Sequence, residues 1–147
     1  MKISAKSRYA LAALIKMGQE NAEEKSITIL SLSENLGISK IYLEQVFSLL
    51  KRGEILTSTK GSRGGYQFAR PTSEISVYDI LHTIEFSLFQ PAEQTVAKKS
   101  SHIENVMQDE IFAKLDNAVA QNLRSITLSS LVEKTARYNG DAEMYYI

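Results

Sequence analysis

The feature that most limits what this chain can fold into lies between Thr28 and Phe68. Two short helical patterns meet there at Gly37-Ile38-Ser39, and a glycine-rich hairpin pattern follows at once. In the first, over about residues 29–36, Ile29, Leu32 and Leu36 share one face. Thr28 precedes them as an N-cap, and Gly37 supplies the left-handed residue that ends such a helix. Ser39 caps the second helix, which runs to about Arg52 and is closed by Gly53. Its Leu43, Val46, Phe47 and Leu50 recur at i, i+3, i+4 and i+7, which predicts a buried face. Lys40, Ile41, Glu44 and Gln45 lie on the other face, at its start. Ile55 to Thr59 is a β-branched run, and Gly65-Tyr66-Gln67-Phe68 reads as its partner strand. The glycines among Lys60-Gly61-Ser62-Arg63-Gly64-Gly65 permit a tight turn with basic residues at its tip.

That order predicts a helix-turn-helix with a wing, a unit that places its second helix in a DNA major groove. Either half alone is a weak signal, because helical pairs with a turn glycine are common. A phosphate-cradling loop is the alternative for the glycine run, but it needs a helix N-terminus after the loop, and here a strand follows. The tandem favours DNA over a purely structural winged helix. On the second helix, Gln45 suits adenine N6/N7 and Glu44 can accept from cytosine N4. Glu44 has a second reading, a surface carboxylate favouring the helix N-terminus. Ile41 shares that face, Lys40 and Tyr42 suit phosphates or packing, and the caps Thr28 and Ser39 complete the candidate surface. In the wing, Lys60 and Arg63 reach phosphates or a minor groove, Ser62 adds a hydroxyl, and Gly64 allows close backbone approach.

Charge distribution agrees with this. The net charge of zero alone argues against a polyanion, but residues 1–70 hold 11 Lys+Arg against 6 Asp+Glu, and residues 71–147 hold 6 against 11. The helix-turn-helix half is therefore +5 and the remainder −5, which suits one face toward phosphate and another toward a partner.

The runs KISAKSRYALAAL, ISKIYLEQVFSLLKRGEI, KGSRGGYQFAR and ISVYDI together resemble the Rrf-type winged-helix repressors, over nearly the whole chain. That family includes iron–sulfur regulators, nitric-oxide sensors and cluster-free repressors of cysteine metabolism, and the resemblance is nearest to the last. It implies that Glu44 and Gln45 of the YLEQ run read bases. It also brings the start of the first helix to the DNA backbone, making Lys2, Lys6 and Arg8 candidate phosphate contacts. A solvated basic helix end is the alternative for each. The cysteine repressors end in a similar aromatic-aromatic-Ile sequence and act with cysteine synthase (O-acetylserine sulfhydrylase). The resemblance therefore implies that Tyr146 and Ile147 help recruit that enzyme, with a tail packed on its own dimer as the alternative. The chain departs from those repressors at IEFSLFQPAE, where they carry a Gly-Pro turn after the Glu.

The remaining segments fit around this unit. Residues 4–21 read as the first helix, capped by Ser4 or Ser7. Ser76 with Asp79 makes a capping box for a helix over about 77–86 with Val77, Ile80, Leu81 and Ile84 buried. Residues 87–101 form a linker, and Ser101 with Glu104 predicts a second capping box opening a helix over about 102–125. Its Ile103, Met107, Ile111, Leu115, Val119 and Leu123 step by four. With the core supplied by residues 1–86, that stripe needs a second surface, and a symmetric partner helix is the simplest. A last short helix is expected to about Ala136, then a turn at Asn139-Gly140.

The expected class is mainly α with a small β-hairpin wing: a winged helix-turn-helix domain (1–86), a linker (87–101), and a dimerisation helix with a C-terminal tail (102–147). Catalysis has little support, since His82 and His102 lack motif partners. With no cysteine, disulfides, zinc–thiolate sites and the usual iron–sulfur ligands are excluded, and no cofactor or metal is expected. No apolar run approaches the ~20 residues of a membrane span, and no signal peptide stands out, so a cytoplasmic protein is expected. The reading is a homodimeric repressor binding double-stranded DNA, tied to cysteine metabolism. Its alternatives are a small-molecule-responsive repressor of another regulon, or an interaction protein that kept the fold without operator binding.

Overall fold

Hydroxyl caps start the helices of the N-terminal half. Ser4 Oγ accepts the Ser7 N–H at 3.1 Å and opens α1 (Ala5–Gln19). Thr28 Oγ1 accepts from Ser31 N and opens α2 (Ile29–Leu36), while Ser39 Oγ accepts from Tyr42 N and opens α3 (Lys40–Arg52), both at 3.1 Å. Gly37 has φ +65°, so the turn between α2 and α3 uses the left-handed conformation the sequence predicts. Strand β1 (Leu56–Thr59) pairs antiparallel with β2 (Gly65–Phe68), Leu56 opposite Phe68 and Thr59 opposite Gly65. Ser76 and Asp79 form the predicted reciprocal capping box on α4 (Val77–Ile84). This computed structural model describes residues 1–61 and 64–145, the last five by backbone alone.

The core gathers the apolar stripes of these elements. Leu14 and Met17 of α1, Leu32 of α2, and Leu43, Val46, Phe47 and Leu50 of α3 are fully buried, with Ile55, Ile75 and Ile80 beside them. One further member comes from far along the chain. Leu128, at the start of α7 (Leu128–Tyr145), is fully buried, and its N–H donates to Ile75 O at 2.8 Å. Val77 N likewise donates to Ile126 O at 2.9 Å. Residues 1–86 thus do not complete the core alone, which corrects the expectation from sequence. The return of the chain onto α1 is set by non-local packing that no local pattern announces.

The segment from 86 to 124 differs from expectation in three further ways. Phe86–Phe89 forms a 3-10 turn at the start of the linker. Glu104 does not reach back to cap its own helix. Its carboxylate is buried and accepts from Thr95 N at 3.1 Å, Thr95 Oγ1 at 3.3 Å and Val96 N at 2.8 Å, clasping the linker, and Ser100 is the N-cap without a side-chain bond. The long helix, 101–124, contains a π-helical segment, Gln108–Phe112, between α5 (Ser101–Met107) and α6 (Ala113–Arg124). At 100° per residue, a step of four drifts by about 40°, or about 200° from Ile103 to Leu123. The extra residue of one π turn takes back about 100°, so the stripe stays closer to one face. Helix α7 runs through Asn139 and Gly140 to Tyr145, where a turn was expected. Among the described residues no helix is long and apolar enough to cross a membrane.

Candidate nucleic-acid interface

On α3 the residues divide into two stripes. Leu43, Val46, Phe47 and Leu50 face the core, whereas Ile41, Glu44, Gln45 and Ser48, at the same i, i+3, i+4, i+7 spacing, are all exposed. Lys40 and Ser39 are exposed at the helix start, as is Thr28 at the start of α2. The candidates Lys40, Ile41, Glu44 and Gln45 are therefore free to meet a ligand. Tyr42 is half-buried and packs edge-on against Tyr9, ring centroids 5.2 Å apart, so it acts in packing and joins the start of α3 to α1. Sequence reasoning missed Tyr9, which is itself 40% exposed. The available signal was spacing, since Tyr9, Ala12, Ala13 and Met17 make a helical stripe along α1.

The wing is fixed to the same helix. The Phe47 ring, from the core face of α3, meets Tyr66 of β2 edge-on at 5.0 Å. Tyr66 also exchanges two backbone hydrogen bonds with Ile27, at 2.9 and 2.8 Å, which adds a bridge to the hairpin just before α2. At the tip, Gly61 has φ +111°, a conformation that favours glycine, and its carbonyl accepts from Gly64 N at 3.0 Å. A Cβ on Gly64 would stand 2.8 Å from the Thr59 carbonyl oxygen, so this glycine serves the turn, as expected. Lys60 is exposed beside it. Ser62 and Arg63 lie outside the described residues, as do Tyr146 and Ile147.

The start of α1 is anchored by a residue the sequence did not single out. Glu85, which ends α4, accepts from Ser4 N at 2.7 Å. Lys2 and Arg8 are exposed around this anchor and Lys6 is half-buried. Burial pushes the Glu85 carboxyl up, but hydrogen bonding from Ser4 at the start of α1 more than offsets it, and the net shift is downward. A lowered folded value means the anchor stabilises fully above the ordinary carboxylate range and fades as pH falls through it. Glu85→Gln is therefore expected to be less stable than wild type at pH 7, with the gap closing below about pH 4. Melting temperatures across that range check this, and a pH-independent gap would contradict it.

His82 is half-buried among aromatic rings. It stacks on Tyr78 at 5.5 Å, with Phe86 and Phe89 each 5.4 Å away, and the Arg124 guanidinium lies 4.1 Å over the Tyr78 ring. This aromatic cluster joins α4 and the linker to the end of the long helix. Along that helix Ile103, Ile111 and Leu115 are exposed, Leu115 by 59%, and Met107, Val119 and Leu123 are half-buried. Among the described residues, no grouping of three or more His, Cys, Asp and Glu could hold a metal ion.

Comparison with known proteins agrees with this geometry. The family profile described as Rrf2, an iron-dependent transcriptional regulator, matches residues 3–134. The HTH-type transcriptional regulator IscR of Serratia proteamaculans is 29% identical over 133 residues, 90% of this chain and 79% of that protein. Among solved structures, CymR, the global cysteine regulator of B. subtilis, superposes with a TM-score of 0.72 at 27% identity, covering 91% of this chain and 98% of that one. IscR of T. potens superposes at 0.67 and 27% identity, covering 92% and 88%.

Proposed function

Because the chain belongs to the Rrf2 family of DNA-binding transcriptional regulators, and is not an enzyme, we propose that it acts as a homodimeric repressor, without an iron–sulfur cluster, in cysteine or sulfur metabolism. The observation that carries the DNA reading is the exposed stripe of α3, capped by Ser39 and locked to the wing through Phe47 and Tyr66. Glu44 and Gln45 read base edges, and Lys2, Lys6, Arg8, Lys40, Lys60 and Arg63 contact phosphates. Residues 1–86 supply the reading surface, 87–101 the linker, and the apolar stripe from Ile103 to Leu123, exposed at Ile103, Ile111 and Leu115, the contact with a second copy. Two such surfaces address half-sites about one or two helical turns apart, near 34 Å per turn. The protein works in the cytoplasm, on chromosomal DNA.

Iron dependence, which the family description carries, does not fit the residues present. The chain contains no cysteine, the usual ligand of iron–sulfur clusters. Glu104, the buried carboxylate beside the linker, already serves Thr95 and Val96. The cysteine regulon is supported by the likeness to CymR and by the aromatic-aromatic-Ile end, Tyr146 and Ile147 recruiting cysteine synthase. A second reading, response to a small molecule, is favoured by a cavity of about 340 Å³ lined by Leu88, Phe89, Leu115, Val119 and Arg124.

Titration onto the DNA of its own promoter, over a range of salt and with or without cysteine synthase, tests the proposal. If about six phosphates are contacted, log K falls against log salt with a slope of about −5. Tightening by the enzyme, reversed by O-acetylserine, is the result expected for the cysteine regulon. Tight binding indifferent to the enzyme would move the signal to the linker cavity, and a slope near zero would sink the phosphate contacts.

A further inference from the structure

One residue of the outer stripe of α3 does not match its neighbours. Glu44, Gln45 and Ser48 are polar, and Ile41, second residue of the helix and one turn before Gln45, is a large apolar side chain 70% exposed. It does nothing for the fold. Isoleucine is a poorer helix former than the lysine before it, and among the described residues nothing covers its side chain. It also stands at the helix end that reaches base edges when such a helix lies in a major groove. The edges displayed there are donors and acceptors with one apolar exception, the C5-methyl group of thymine.

We propose that Ile41 is a specificity-determining residue that reads a thymine methyl in each half-site. The inference rests on the DNA reading given above and adds a base preference to it. Ile41 and Gln45 are about 6 Å apart along the helix, and base pairs are about 3.4 Å apart. The thymine therefore lies within about two base pairs of the adenine that Gln45 reads. Burying one methyl group against Ile41 is worth about fourfold in affinity per half-site, and about fifteenfold when both half-sites carry it.

The test uses the full chain and a duplex enriched by it from a random pool. Each thymine is replaced in turn by deoxyuridine, which lacks only the methyl. Wild type is expected to lose about fourfold at one position per half-site and little elsewhere. Ile41→Ala, a change on an exposed surface that leaves the fold intact, is expected to be indifferent to the same replacement. Two results would overturn the inference while leaving operator binding standing: no deoxyuridine position matters to wild type, or Ile41→Ala suffers the same loss at it. A uniform weakening of Ile41→Ala on every duplex would also overturn it, assigning Ile41 to general contact. Failure of any sequence to be enriched would remove the operator reading and this inference together.

Discussion

Ile111→Asp and Leu115→Asp are each expected to leave the winged-helix half folded while lowering operator affinity by at least about 100-fold. Both positions are more than half exposed in the single chain, so a carboxylate there stays hydrated and costs the monomer little. In a dimer joined along the long helix the same carboxylate would be buried against apolar neighbours. An unpaired buried charge costs several kcal/mol, enough to dissociate a modest interface. Separated protomers then bind half-sites independently and forfeit the effective concentration that links the two contacts, a gain of 10²–10⁴. Sedimentation equilibrium and operator titration on the same samples decide the matter. An aspartate variant that remains dimeric and binds as wild type would show that the stripe is not the pairing surface.

Gly65→Ala is expected to be the most damaging single methylene in the wing. A Cβ at Gly65 would stand 2.5 Å from the Ile27 carbonyl oxygen and 2.8 Å from its carbon. Both are backbone atoms of the bridge to Tyr66, and neither can swing aside as a flexible side chain would. Relief requires parting Ile27 from Tyr66, which breaks their two hydrogen bonds and disturbs the Phe47–Tyr66 contact. A loss of about 2–4 kcal/mol is expected from overpacking and broken hydrogen bonds together. Urea unfolding measures it, and operator binding should fall further than stability alone requires, because the wing tip shifts. Stability within about 0.5 kcal/mol of wild type would mean that the hairpin yields without strain.

Two sequence signatures of the same spacing show where legibility ends. Ser76 with Asp79 and Ser101 with Glu104 have the same spacing, and both predict a capping box. The first forms although Arg70 shares it: the guanidinium lies 3.2 Å from the same Asp79 Oδ2 that accepts the Ser76 N–H, and no distant backbone N–H draws the carboxylate away. The second does not form, because the linker folds back and offers Glu104 the N–H groups of Thr95 and Val96. Local chemistry was decisive wherever partners lie within four residues: the caps Thr28 and Ser39, the left-handed Gly37, the two stripes of α3. It failed where a distant segment intervenes, as at Leu128 and at the Glu85 anchor of Ser4. Asn139-Gly140 failed differently. The pair favours a turn, but an exposed helical glycine costs only about 1 kcal/mol, too little to stop α7.

The burial of Leu128 fixes an order of events during synthesis. The ribosome adds about 5–20 residues per second, so residue 128 follows residue 86 by roughly 2–8 s. During that interval the nascent helix-turn-helix lacks the side chain that fills its core and the strand-like partners of Ile75 and Val77. By the time the reading half can close, the whole helix from 101 to 124 has already been made. The helix proposed to pair two copies is therefore present before the core beneath the proposed reading surface is complete.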